Sequence, residues 1–62
     1  MKTYNSTQEY INQNIAPGIG DIELTYQQQI TIAQEMTTWK NGKLVEREDK
    51  DFFNTVFETI EN

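Results

Sequence analysis

The apolar positions fall into three helix-period groups separated by polar or turn-forming residues. Near the C-terminus, Phe52, Phe53, Val56, Phe57 and Ile60 recur at i, i+1, i+4, i+5 and i+8. At a helical step that makes a stripe roughly 140° wide, which the rest of the chain is expected to cover. Asp49 or Asp51, just ahead, can accept from the free first-turn N–H groups, so a helix over 50–61 is predicted. Near the N-terminus, Ser6-Thr7-Gln8-Glu9 has the S-x-x-E form of a capping box, followed by Tyr10, Ile11 and Ile15 on one side. This predicts a helix over 7–16, ended by Pro17, Gly18 and Gly20. Met1–Asn5 is polar and expected to fray, with Tyr4 as its anchor, and Ile19 is expected to tuck under the core.

Residues 21–46 fit two periods. As strands, Ile22, Leu24, Tyr26, Ile30 and Ile32 alternate with polar residues, and Asn41-Gly42 makes a two-residue turn joining Thr37–Lys40 to Lys43–Glu46. As a helix, Tyr26, Ile30, Ala33 and Thr37 line up, with Ile32, Met36 and Trp39 beside them. Gln27, Thr31, Gln34, Glu35 and Thr38 then gather on the other side, and Gly42 closes the helix in a left-handed conformation. The clean separation of faces over 30–40 favours the helix. The fold expected is therefore an all-α, three-helix domain (7–16, 25–39, 50–61) in a single unit over 1–62. The alternative is an α+β fold with a short antiparallel sheet over 21–46 between two helices.

Composition narrows the function more than it does the fold. A chain of 62 residues buries only about 60% of the surface it exposes unfolded. Burial and chain entropy nearly cancel at that size, so a partner chain can make the difference. Cysteine is absent, which removes disulfides and thiolate metal sites. With no basic-then-apolar leader and no 18-residue apolar run, a cytoplasmic protein without a membrane span is expected.

The chemistry of catalysis is thinly represented. Histidine and cysteine are absent and Ser6, the one serine, is engaged as a helix cap, leaving no group suited to proton shuttling or nucleophilic attack near neutral pH. An enzyme is not expected. Glu46, Glu48, Asp49 and Asp51 are close in sequence, but they lack the ligand spacing and central Gly of a calcium loop. Neither a metal nor a cofactor is expected.

Ten acids against five bases leave a net charge of −5. That disfavours direct contact with nucleic acid, whose affinity comes from Lys and Arg on phosphates. It suits a partner with a basic surface, including one that itself handles nucleic acid, although solvation alone also accounts for acids. The aromatics are more naturally core than surface. Trp39, at the rim of the apolar arc beside a polar turn, has the position of an interface anchor, with Tyr26 as a flanking contact.

Ile32-Ala33-Gln34-Glu35-Met36, Trp39, the run Asn41–Asp49 and Asp51-Phe52-Phe53 together resemble short acidic proteins encoded by phages and plasmids of Gram-positive bacteria. The pattern comprises an early Tyr-containing helix start, an Ile-Ala-x-Glu helix, an aromatic-x-x-Gly turn and an Asp-Phe-aromatic helix. The chain departs from it at Pro17-Gly18 and Gln27-Gln28-Gln29. These motifs are structural, so the resemblance carries no active residues and implies only a mobile-element context in a host cytoplasm. The function expected is a non-enzymatic protein that binds and inhibits or redirects a host protein, plausibly a defence or nucleic-acid-handling one. Its binding surface would consist of Trp39, Tyr26, Glu46, Glu48, Asp49 and Asp51, occluding a basic groove. The alternative is a self-associating structural or regulatory module, a homodimer whose copies complete each other's core.

Overall fold

A computed structural model describes residues 2–16 and 22–61. In chain order it contains β1 (Thr3–Tyr4), α1 (Thr7–Asn14), α2 (Tyr26–Met36), β2 (Thr37–Lys40), β3 (Lys43–Glu46) and α3 (Phe52–Glu61). The strands form one antiparallel sheet in the order β1-β3-β2. The fold is thus α+β, which overturns the all-α expectation; a hairpin replaces the last turn and the C-terminal closure of the expected central helix. Ile19 and the stop at 17–20 lie outside the described residues. No helix among the described residues is long and apolar enough to cross a membrane.

Local hydrogen bonding sets most of the helix ends. Ser6 caps α1, its hydroxyl accepting from the Glu9 N–H at 3.1 Å. The Glu9 carboxylate reaches one residue past the capping-box position and accepts from the Asn5 N–H at 2.6 Å. α2 begins with a full box: Thr25 accepts from the Gln28 N–H, and the Gln28 side chain accepts from the Thr25 N–H. Asp51 caps α3 by accepting from the Asn54 N–H at 2.9 Å.

The switch from helix to strand takes place between Met36 and Thr37, with no loop between them. Thr37 is extended (φ −132°, ψ 160°) while its hydroxyl still donates to the Ala33 carbonyl at 2.6 Å, occupying an otherwise free end of the helix. Two adjacent β-branched residues, Thr37 and Thr38, favour the extended form. Asn41 (φ 51°) and Gly42 (φ 80°) are both left-handed, as a two-residue hairpin turn requires. Gly42 is therefore left-handed as expected, but as a turn residue and not as a helix terminator. The Arg47 N–H donates to the Met36 carbonyl at 2.7 Å and ties the foot of the hairpin to the end of α2.

The N-terminal segment also departs from expectation. Thr3 and Tyr4 pair with Val45 and Leu44, making a strand in place of a frayed end. Tyr4 is the anchor expected of it. Its ring meets Tyr10 edge-on with centroids 5.0 Å apart, and its hydroxyl accepts from Asn14 at 3.1 Å. The core gathers Tyr4, Tyr10, Ile11, Ile15, Ile32, Ala33, Met36, Leu44 and Val56, with Ile22, Leu24, Ile30 and Phe52 half-buried around it. α1 with its C-terminal cap Ile15, α2, the sheet and the segment 22–24 leading into α2 supply all of it except Val56 and Phe52, which come from α3.

Candidate functional site

The six residues singled out for partner binding do not meet in one place. Trp39 lies on edge strand β2, opposite Leu44, which in turn lies opposite Tyr4. Directly opposed residues share a face of the sheet, so the three form one row. The helices bury Tyr4 and Leu44, whereas Trp39 at the row's end stays 58% exposed. On its own face the diagonal charged neighbour is Glu46, opposite Thr37, whereas Lys40 and Lys43 face each other on the other side of the sheet.

Tyr26 is 60% exposed at the start of α2, and its hydroxyl donates to Gln8 Oε1 at 2.8 Å, bracing α1 against α2. An 11-residue helix puts about 15 Å between Tyr26 and the start of β2. Tyr26 therefore does not flank Trp39 as expected.

Two of the four acids, Asp49 and Asp51, are already engaged with neighbouring groups. Asp51 caps α3. Asp49 pairs with Arg47 through two contacts of 2.7 and 3.0 Å; that hydrogen-bonded guanidinium holds the Asp49 carboxyl below its ordinary range. Glu46, Glu48 and Asp51 line one shallow depression together with Lys2, Arg47, Lys50, Met36 and Phe52. Three acids and three bases share that rim, with Asp49 held by Arg47 beside it, so it concentrates little of the net charge. The net negative charge lies elsewhere: the three helices contain Glu9, Glu35, Glu58 and Glu61 and not one Lys or Arg.

The least expected surface is α3 itself. Thr55 and Val56 are buried, and Phe52 and Thr59 are half-buried, on the flank that packs against α2. The Thr55 hydroxyl donates to the Asp51 carbonyl at 2.9 Å, which lets a polar residue sit on the packed side. The other half of the apolar arc is left in solvent: Phe53 is 57%, Phe57 50% and Ile60 41% exposed. At i, i+4 and i+7 they form one continuous line along two turns. Asn54, Glu58 and Glu61 border the line on its far side, all exposed. The stripe was visible in the sequence; that only one flank would be covered was not.

One buried group also lacks a partner. Tyr10 is fully buried, and its hydroxyl has no hydrogen bond among the described residues. Burial, then the nearby Glu46 carboxylate and Tyr4, push its ionisation well above the ordinary tyrosine range. A buried phenol held neutral in this way serves as a packing element, its ring edge-on to Tyr4.

Comparisons with family models, with curated proteins and with solved structures find no match for this chain.

Proposed function

We propose that the protein works without catalysis, as a self-associating module whose copies close over the Phe53–Phe57–Ile60 line of α3. The supporting observation is that line itself, three large apolar side chains side by side and uncovered. With roughly half of each ring's ~200 Å² open, the patch amounts to about 300 Å² per copy. A contiguous apolar patch of that size is comparable with the largest on an ordinary monomer, and such patches are often functional. A small domain gains most from such closure, because its own core is limited by its surface-to-volume ratio.

The area also limits the strength of association. About 300 Å² per copy is well below the ~800 Å² of a standard interface partner, so a weak, transient association is expected. Sedimentation equilibrium from low micromolar to several hundred micromolar tests this directly. A concentration-dependent dimer is expected, abolished by Phe57→Asp. A wild-type chain that stays monomeric over the whole range overturns the reading.

The second reading, inhibition of a host protein with a basic groove, draws support from the exposure of Trp39. The two respond oppositely to salt. Contact between acidic and basic surfaces weakens steeply as ionic strength rises. Apolar contact between two copies that each carry −5 holds or tightens, because screening relieves their mutual repulsion.

A further inference from the structure

Building on that self-association, we infer that the second copy docks with its α3 antiparallel to the first, on a two-fold axis passing beside Phe57. The line is short and nearly symmetric about its middle: Phe53 and Ile60 stand on either side of Phe57. A two-fold axis there sets Phe53 of one copy against Ile60 of the partner subunit and brings the two Phe57 rings together. A self-complementary patch of this kind is what an isologous interface requires.

Charge selects the orientation. α3 ends with Glu58 and Glu61 and has no basic residue in its last turn. The nearest base, Lys50, stands just ahead of its N-terminus. Parallel docking would gather Glu58 and Glu61 of both copies at one end with nothing to offset them. Antiparallel docking moves each Glu61 to the opposite end of the neighbouring helix. There it lies near the helix start, where Lys50 of the partner subunit offsets the capping Asp51 of the partner subunit, so that end is closer to neutral than one gathering four glutamates.

The flanks show how to test the orientation. Asn54 and Glu61 lie within about 20° of each other on the helix, on the same side of the apolar line. Helices related by a two-fold axis perpendicular to them place like flanks together, so Asn54 faces Glu61 of the partner subunit. The chain has no cysteine, so Asn54→Cys and Glu61→Cys introduce single thiols without touching the apolar line, and the mixed pair keeps one of its two Glu61 carboxylates. Each variant is oxidised alone and as an equimolar mixture, with Thr38→Cys on the sheet as the exposed control.

The expected result is a mixed 54–61 disulfide forming at least several-fold faster than either self-disulfide. Self-disulfides forming as fast as the mixed one, all above the control, overturn the antiparallel arrangement and leave self-association standing. All three rates falling to that of the control overturn the arrangement and its premise together, in agreement with a monomer by sedimentation.

Discussion

α2 and α3 differ in length by one residue, 11 against 10, yet their apolar faces meet different fates. α2 has the more mixed sequence, YQQQITIAQEM, and buries Ile32, Ala33 and Met36 completely or nearly so. α3, FFNTVFETIE, is the more apolar and the more sharply two-sided, yet it buries only Thr55 and Val56 and leaves Phe53, Phe57 and Ile60 in solvent. The difference follows from their neighbours. α2 is flanked by α1 on one side and α3 on the other and runs directly into the sheet, whereas α3 packs chiefly against α2. Helix amphipathicity therefore measures how much surface a helix offers for burial, and the neighbours decide how much of it is taken.

Truncation in the doubly covered region should have the largest effect. Ile32→Ala is expected to cost about 2–5 kcal/mol, a large part of the stability of a chain this small. Urea denaturation followed by circular dichroism measures it; a loss below 1 kcal/mol would remove the distinction between the two helices. The matching change on α3, Phe57→Asp, should cost the monomer less, about 1–2 kcal/mol for the covered half of the ring, while abolishing association. A large loss of monomer stability there would mean that the line serves the fold.

Intermediate effects are expected where the core and the hairpin are strained or unsatisfied. Tyr10→Phe removes an orphaned buried hydroxyl and should stabilise the protein by about 1 kcal/mol. Its ionisation is raised by folding, so its contribution is complete below the unfolded value and falls away as pH climbs past about 10. The wild type should therefore lose stability there more steeply than Tyr10→Phe, as thermal melts across that range would register. Gly42→Ala should cost about 1 kcal/mol through its left-handed backbone alone, since nothing lies within 4 Å of an added Cβ. The smallest effect is expected for Trp39→Ala, whose ring is more than half in solvent. It should leave the melting temperature almost unchanged, and a marked drop would place Trp39 in the core after all.

Legibility along the chain tracked how local each determinant was. Ser6 and Asp51 announced their helices because a cap needs only a side-chain oxygen and an N–H two or three residues on. Asn41-Gly42 announced a hairpin for a similar reason, since few residue pairs accept two successive left-handed conformations. The preference for a helix running through 37–39 failed because the helical face over 26–36 is real and extrapolated smoothly past its end. Nothing in the polarity pattern marks Met36–Thr37 as the switch; the paired threonines were the available signal. Thr25–Gln28, a complete capping box, was equally available and would have set the start of α2.

The residues expected to form one binding surface are spread over the fold, because nearness in sequence does not bring side chains to one face. The hairpin sets Trp39 against Leu44 at the edge of the sheet, and Lys2, Arg47 and Lys50 come to stand among the acids.

By itself the sequence determined where the helices begin, where the chain reverses and which residues are apolar, since each depends on hydrogen bonds and backbone preferences within a few residues. Only the tertiary structure decided that β1 pairs with β3, that Tyr10 lies beside Tyr4, and that one flank of α3 stays bare. Those outcomes depend on how many neighbours can be brought against a surface at once. That is a matter of geometry between distant segments, which no local pattern encodes.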